Sequence, residues 1–216
     1  MREDLLREIF ERLYDHFGPQ GWWPGEDPFE ICVGAILTQN TNWQNVERAI
    51  ENLKKRGLLD PKKLYKLSRE ELAALIRPAG YFRVKAQRLK NFLRFLHEEY
   101  QGELERLFAE GLPRAREKLL SVSGIGPETA DSILLYAGGI PIFVIDAYTR
   151  RILLRHGLAT EEMGYDELQE FFMKNLPEDP ELFNEYHALL VACGKHYCRP
   201  RRPVCENCPL QGVEEG

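Results

Sequence analysis

The sequence predicts an all-α fold, and three observations support this prediction. Apolar residues recur three and four positions apart along most of the 216 residues, as they do on the buried face of a helix. Residues typical of helix N-termini, such as Asp before Pro or Ser before Glu, precede several of these segments. Strand-like alternation is not convincing anywhere, and its best candidate, IPIFVI at 140–145, is predicted to be a buried connector.

The predicted helices follow one another with short connections. The first, at about 5–17, ends at Gly18-Pro19, and a Gly/Pro-rich loop with two tryptophans follows. Asp27-Pro28 opens a helix at about 29–39, which is apolar nearly all round and should therefore be central. The polar segment TQNTNW interrupts the chain there. Further helices are predicted at about 42–55, after Asp60-Pro61, from Ser68 to before Pro78, and at about 83–99, 112–120, 147–155, 165–174 and 180–193.

Composition indicates a soluble globular protein, with 44% hydrophobic and 29% charged residues. No apolar run is long enough to cross a bilayer, and the acidic, amphipathic N-terminus does not resemble a secretory signal, so we expect a cytoplasmic protein. The net charge of −5 counts against nucleic-acid binding. However, residues 83–94 and 195–202 are basic and contain no acid; they are either solvated helix faces or nucleic-acid contacts.

A glycine-punctuated turn lies between two apolar helical segments. Gly124-Ile125-Gly126 permits a tight turn with outward N–H groups, and Pro127 fits the first position of the next helix. The N-terminus of that helix is suited to an anion such as a phosphodiester, which would be held without regard to base sequence. An ordinary helical hairpin is the alternative interpretation.

Four of the five cysteines, Cys193, Cys198, Cys205 and Cys208, lie close together in the sequence, whereas Cys32 stands in an apolar run and is expected in the core. In a reducing compartment, such clustered cysteines indicate metal ligands rather than disulfides.

Several segments together resemble a known family. LLSVSGIGPETAD followed by FVIDAYTRR resembles the helix-hairpin-helix DNA glycosylase superfamily of the endonuclease III type. The segments GAILTQNTNW, AGYFRVKAQRL and HALLVACGKHYCRPRRPVCENC resemble the family's inserting-glutamine, G-x-Y-x-x-K-A and iron–sulfur segments, in the family order from about 28 to 208.

The resemblance implies a two-lobed all-α helix-hairpin-helix glycosylase fold with a C-terminal cysteine-ligated cluster loop. A six-helix barrel domain would span 29–136 and include the hairpin at 119–136. The second helical domain would combine 1–28 with 137–216 and carry the cluster loop at 193–208. The expected partner is double-stranded DNA with a damaged base, flipped into a pocket between the lobes. We expect a monomer, associated with the nucleoid.

Asp146 is the predicted catalytic residue. It matches the family's V-D-x-x-x-R pattern, and a carboxylate can stabilise the positive charge that builds on the sugar when an N-glycosidic bond breaks. It can also simply cap the next helix, and both roles are compatible. Bifunctional relatives carry a lysine where this chain has Glu128, and a carboxylate cannot form a Schiff base, so the enzyme should lack lyase activity. Glu128 and Asp131 either contact the substrate or merely occupy the helix start.

Flat aromatic side chains are expected to stack on the flipped base. Trp22, Trp23, Pro24 and Trp43 are the candidates, although tryptophans in such a loop also serve as core lids. Indoles attract a cationic base such as 3-methyladenine, and these residues together with G-I-G-x-E-[ST]-A-D are similar to the 3-methyladenine glycosylases of the endonuclease III type. A mismatch uracil or thymine glycosylase and a non-catalytic DNA-binding module are the alternatives.

The resemblance assigns further contacts. Gln39 would fill the hole left by the flipped base, and Asn42 would face the same site. Backbone contacts to DNA are expected from Lys85 and from four hairpin residues, namely Gly124, Ile125, Gly126 and Thr129.

The cysteine spacing departs from the family's at one position. Cys198-x6-Cys205-x2-Cys208 reproduces the first three ligands of the family's [4Fe–4S] cluster, but the fourth expected position holds Glu214. Cys193 is the candidate fourth ligand, and a three-cysteine cluster with Cys193 buried is the alternative. Zn²⁺ also suits four thiolates. The role of the metal group would be structural.

Overall fold

The computed structural model describes residues 2–23, 25 and 27–213, and its regular elements are helices throughout that part of the chain. The all-α prediction is therefore confirmed. The helices are α1 (Arg2–Phe17), α2 (Pro28–Leu37), α3 (Trp43–Lys55), α4 (Pro61–Lys66), α5 (Arg69–Leu75), α6 (Phe82–Tyr100), α7 (Leu104–Phe108), α8 (Leu112–Leu120), α9 (Pro127–Ser132), α10 (Ala147–Arg155), α11 (Tyr165–Met173) and α12 (Pro180–His196).

Sequence reasoning missed only short elements. Helix α7 has five residues, which is too few for an apolar period to be visible. Two 3₁₀ turns, Arg77–Ala79 and Cys205–Asn207, were not predicted either. Directly after α9, Ile133–Ala137 forms a wider π-helical turn, a feature that is frequent at functional sites.

The segment 140–145 is a buried connector, as predicted. Ile142, Phe143, Val144 and Ile145 are all buried and no strand is formed there. The backbone carbonyl of Phe143 accepts a hydrogen bond of 2.6 Å from the side chain of Gln169, so this buried polar group is satisfied without a sheet.

The chain divides into two compact units. The central unit comprises residues 23–140, and the terminal unit comprises the residues up to 22 and from 141 onward. The domain boundaries inferred from the family resemblance stay a prediction. Within the described residues, no helix combines the length and the apolar character that a membrane span needs.

Helix α2 forms the middle of the central unit. Nine of its ten residues are buried, and it packs against α3, α6, α9 and the π-helical turn. Burial on every side explains why its sequence is apolar all round. Asp27 caps this helix by accepting hydrogen bonds from the N–H groups of Phe29 and Glu30, at 2.8 and 2.9 Å.

In the terminal unit, α12 packs against both α1 and α10. The hydroxyl of Tyr186 is buried and donates a hydrogen bond of 2.8 Å to the carbonyl of Leu6. On the other side, the Cα of Gly194 lies so close to α10 that a Cβ there would be 2.4 Å from the Tyr148 ring. Helix α12 therefore forms the framework on which the residues around Asp146 are placed.

Candidate active site

The hairpin between α8 and α9 requires glycine at only one of its two glycine positions. Gly124 has a φ of +96°, and a Cβ there would lie 2.3 Å from Cγ of Arg88. Gly126 has a φ of −95°, and a Cβ there would point into open space, so other residues fit. The N–H of Ile125 donates to the carbonyl of Val122 at 3.0 Å and so closes the turn rather than pointing outward.

Gln39 is bonded directly to this hairpin. Its side-chain amide donates to the carbonyl of Gly124 at 3.1 Å and to Oγ1 of Thr129 at 2.9 Å, and its carbonyl accepts from Arg88. Thr129 is buried, so its hydroxyl faces Gln39 within the unit. The structure thus brings together Gln39, Gly124 and Thr129, three residues that were predicted from separate motifs.

Asn42 is the N-cap of α3 and accepts a hydrogen bond of 3.1 Å from the N–H of Asn45. Its amide oxygen therefore has a structural role at the start of this helix. The indole N–H of Trp43, the first residue of α3, donates to Glu47 at 2.7 Å.

An aromatic cluster forms in the central unit around Gly34. The ring of Trp23 lies edge-on to Trp43 at 5.3 Å between centroids and is tilted against Tyr136 at 5.0 Å. A Cβ on Gly34 would lie 3.4 Å from both indoles, so the absence of a side chain keeps this space open for them. Pro24, which was predicted beside these residues, lies outside the described residues.

Lys85 is buried, with 1% of its surface exposed, and its ammonium donates to the carbonyl of Ala79 at 2.6 Å. Burial, with a smaller effect of nearby Arg88, lowers its pKa to about 8. In this structure, Lys85 holds the turn that precedes α6, and a contact with the DNA backbone stays a prediction.

Asp131 and Glu128 have different surroundings, although both lie on α9. Asp131 is fully buried and accepts two hydrogen bonds from Arg116, at 2.7 and 3.2 Å, which is the bidentate geometry of a strong ion pair. Its contacts are therefore structural. Glu128 is exposed in the first turn of α9, next to the hairpin glycines.

Asp146 is the N-cap of α10, and 13% of its side-chain surface is exposed. Its Oδ1 accepts the N–H of Thr149 at 2.8 Å, and its Oδ2 lies 3.5 Å from Nε2 of His187. Burial alone would raise the pKa of Asp146, but the nearby imidazole of His187 and the hydrogen bond from Thr149 outweigh it and lower the pKa. The carboxylate is therefore ionised at neutral pH.

Trp22 stacks on the imidazole of His187, the residue that lies beside Asp146. Its indole lies 5.6 Å from the imidazole of His187, with 21° between the planes. Glu185 accepts the N–H groups of Gln20 and Gly21, at 2.6 and 3.3 Å, and so holds the loop that leads to Trp22. Two side chains of α12 thus support this tryptophan.

Sequence reasoning missed His187, Tyr136 and Arg88. His187 is a polar residue within the apolar run HALLVACG, and it is 4% exposed. A buried histidine in such a run was the available signal. Tyr136 had no signal beyond its helical position, and Arg88 was noted only as part of the basic run 83–94. Neither pattern could show their contacts, because these contacts join segments that are far apart in the sequence.

The four C-terminal cysteines are brought only partly together. Sγ of Cys193 lies 3.9 Å from Sγ of Cys208, and Cys198 is buried beside Arg155, which donates to its sulfur at 3.3 Å. The contact with Cys193 lowers the pKa of Cys208. In the described part of the chain, no three His, Cys, Asp or Glu side chains are grouped closely enough to hold a metal ion.

Comparison with known proteins identifies the family. Residues 33–178 match the HhH-GPD superfamily of base excision DNA repair proteins. The chain is 48% identical over 210 residues to a candidate DNA repair glycosylase of Methanocaldococcus jannaschii, covering 96% of this chain and 94% of the relative. It is 31% identical over 211 residues to endonuclease III of Thermotoga maritima, covering 98% of this chain and 91% of the relative.

Among solved structures, it is similar to the 3-methyladenine DNA glycosylase of H. pylori bound to 1,N6-ethenoadenine, with 31% identity and a TM-score of 0.76 over 90% of this chain and 97% of that one. The chain therefore belongs to the HhH-GPD superfamily and is a base excision DNA glycosylase of that superfamily.

Proposed function

We propose that this enzyme is a monofunctional glycosylase that releases an alkylated purine, such as 3-methyladenine, from double-stranded DNA. The observation that carries the monofunctional assignment is Glu128. It occupies the position after the hairpin at which bifunctional relatives carry the lysine that forms a Schiff base, and a carboxylate cannot form one. The strand would therefore remain intact after base release.

Asp146 is the proposed catalytic residue. As the bond between C1′ and the base nitrogen breaks, the base leaves with the bonding electrons and positive charge develops on the sugar. The ionised Asp146 carboxylate stabilises this charge. Water then bonds to C1′ and loses a proton, to Asp146 or to the departed base, which leaves a free base and an abasic deoxyribose.

The aromatic residues support the choice of an alkylated purine. The central unit contains a cluster of Trp23, Trp43 and Tyr136. In the terminal unit, the Trp22 indole stacks on His187, which in turn lies beside Asp146. Indole faces attract cationic rings more strongly than neutral ones. An alkylated purine is also a good leaving group, so a carboxylate without a covalent nucleophile suffices. The likeness to the H. pylori 3-methyladenine glycosylase agrees with this choice.

The hairpin is the proposed DNA-backbone contact. It would hold phosphates without regard to sequence, as a repair enzyme requires. Gln39, the proposed wedge in the DNA, is bonded to Gly124 and Thr129 and so lies beside the segment that would grip the backbone.

We also propose that Cys193, Cys198, Cys205 and Cys208 hold a [4Fe–4S] cluster, with Zn²⁺ as the alternative metal. The donor set fits either group, since both take four thiolates. Cys193 and Cys208 already approach each other, which supports Cys193 as the replacement for the family's fourth cysteine. The cluster would cross-link the C-terminal loop, and no step of base release passes through it.

The decisive experiment is a panel of duplexes that contain 3-methyladenine, 1,N6-ethenoadenine, uracil or thymine opposite guanine, or an oxidised pyrimidine. Base release is measured separately from strand cleavage before and after alkali. We expect release of the alkylated purines, with strand cleavage only after alkali and no adduct on treatment with borohydride. A Trp23→Leu variant should lose release of the cationic purine more than release of any neutral base.

Three outcomes would contradict the proposal in different ways. A borohydride-trapped adduct would show a lyase and contradict the monofunctional assignment. Preferred release of mispaired uracil or thymine would replace the substrate class. Release of no base from any duplex, with DNA binding retained, would favour a non-catalytic DNA-binding module.

A further inference from the structure

One buried side chain on α12 contacts two candidate site residues. Nε2 of His187 lies 3.5 Å from Oδ2 of Asp146, and the same imidazole stacks on Trp22 at 5.6 Å between centroids. His187 is 4% exposed, so the ring has little freedom to leave these contacts. All three residues belong to the terminal unit.

We propose that His187 is a positioning residue for base release, which fixes the carboxylate of Asp146 and supports the plane of the Trp22 indole. This inference rests on the proposed function, because it assumes that Asp146 acts on the deoxyribose. The proposed chemistry requires Asp146 to be charged and correctly oriented, and His187 provides both conditions.

The orientation of Asp146 follows from one hydrogen bond and one close polar contact. Oδ1 accepts the N–H of Thr149, and Oδ2 lies within ion-pair distance of Nε2 of His187, at 3.5 Å. The two contacts act on different oxygens and so restrict rotation of the carboxylate plane. Each oxygen keeps a second lone pair, which is available to a water or to the developing sugar cation.

The charge of Asp146 depends on the same contact. A carboxyl group that is largely shielded from water is otherwise driven towards its neutral form, which cannot stabilise a sugar cation. Asp146 and His187 have further neighbours from other elements. Thr149 on α10 donates its N–H to Asp146. The ring of Phe143 in the connector lies edge-on to the imidazole at 6.5 Å, and the Trp22 indole stacks on it. The hydroxyl of Tyr165 on α11 lies 3.4 Å from the N–H of Ile145, the residue before Asp146.

Trp22 is held from two positions of the same helix. His187 supports the face of its ring, and Glu185 holds the backbone of the preceding residues Gln20 and Gly21. A tryptophan held in one plane loses less side-chain entropy when a base stacks on it. His187 therefore links the residue proposed to stack on the base with the residue proposed to act on the sugar.

Two substitutions separate the functions of the imidazole. His187→Phe keeps a flat ring against Trp22 but removes the hydrogen-bond donor. His187→Gln keeps an N–H donor but removes the ring. Release of 3-methyladenine is measured in single turnovers with excess enzyme, from pH 4 to 9, with thermal melting to confirm folding and with DNA affinity measured separately.

For His187→Phe, we expect a base-release rate about 10- to 100-fold lower, since the polar group within ion-pair distance of the Asp146 carboxylate is lost. The acidic limb of its pH–rate profile should move to higher pH, because Asp146 loses the neighbour that favours its ionised form. His187→Gln keeps a polar N–H near the carboxylate but not the charge of an imidazolium, so its acidic limb should move less than that of His187→Phe. The matched control is His97→Gln, which removes an exposed histidine that stacks on Tyr65 instead, and which should leave both the rate and the profile unchanged.

A second measurement is independent of activity. The carboxyl ¹³C resonances of labelled aspartates, with Asp146 assigned by its Asn variant, should show a higher pKa for Asp146 in His187→Phe than in the wild type. If Asp146 titrates identically in the two proteins, or if folded His187→Phe and His187→Gln share the wild-type profile, the inference is overturned. Equal loss of rate in both variants with an unmoved acidic limb would show only a packing role and would also overturn it. A wild-type enzyme that releases no base would contradict the proposed function, while the titration would still test His187.

Discussion

Oδ1 of Asp146 accepts the backbone N–H of Thr149 at 2.8 Å, so the proposed catalytic carboxylate is also the N-cap of α10. This double role allows a substitution that separates catalysis from stability. Asparagine caps a helix about as well as aspartate but carries no charge.

Asp146→Asn should therefore fold and bind damaged DNA with nearly the wild-type affinity, while base release falls by about 100-fold or more. Single-turnover base release and DNA affinity, measured on the same duplex, check this prediction. If the variant releases bases at the wild-type rate, Asp146 is not the catalytic group.

Stability should depend on Asp146 at acidic pH. Its folded-state pKa is lowered from the ordinary value of 3.8, so its contribution to stability is present above that value and is lost as the pH falls through the lower folded-state pKa. Melting temperatures from pH 2 to 7 should fall less steeply below pH 4 for Asp146→Asn than for the wild type. Parallel curves for the two proteins would contradict this expectation.

The two hairpin glycines should respond differently to substitution. Gly124→Ala forces a Cβ into a left-handed conformation and onto the side chain of Arg88, and should cost about 1–3 kcal/mol of unfolding free energy. Gly126→Ala is the matched control, because its φ is ordinary and its surroundings are open. Urea unfolding of both variants measures the difference; equal losses would show that the hairpin geometry is not as described.

The buried pair of Arg116 and Asp131 should be sensitive to the loss of one partner. Asp131→Asn removes the charge that Arg116 faces, and should lower the unfolding free energy by about 3–5 kcal/mol. Glu51→Gln, which breaks an exposed and solvent-screened pair with Lys55, should leave the unfolding free energy nearly unchanged. Chemical denaturation of the two variants provides the comparison. A negligible effect of Asp131→Asn would show that this pair does not stabilise α9.

The metal content should depend on Cys193. We expect Cys193→Ser to lose the brown chromophore and to contain fewer than four irons, because a buried ligand is replaced by a poorer donor. Cys32→Ala, which changes a buried cysteine in the other unit, should keep both. Iron, zinc and acid-labile sulfide are measured on freshly purified protein. A Cys193→Ser protein with four irons and a full chromophore would show that Cys193 is not a ligand.

Local patterns determined much of the fold. Helix α2 was predicted as central because it is apolar all round, and its start was predicted from Asp27, which does cap it. Asp60 likewise caps the helix that it was expected to begin. Capping and apolar periodicity involve residues within a few positions of each other, so a single sequence displays them directly. Helix α7 was not predicted, because five residues are too few to show the helical spacing of apolar residues.

Tertiary structure alone decided what the site residues contact. The sequence and its family resemblance pointed to Asp146 and Trp22, but not to His187, which is 41 positions from Asp146 and joins the two. The sequence also could not show that Gln39 is hydrogen-bonded to the hairpin, or that the carboxylate of Asp131 pairs with Arg116 inside the protein. The physical reason is that a cap or an apolar face is defined by neighbours along the chain, whereas the partner of a buried charge is defined by how separate helices pack.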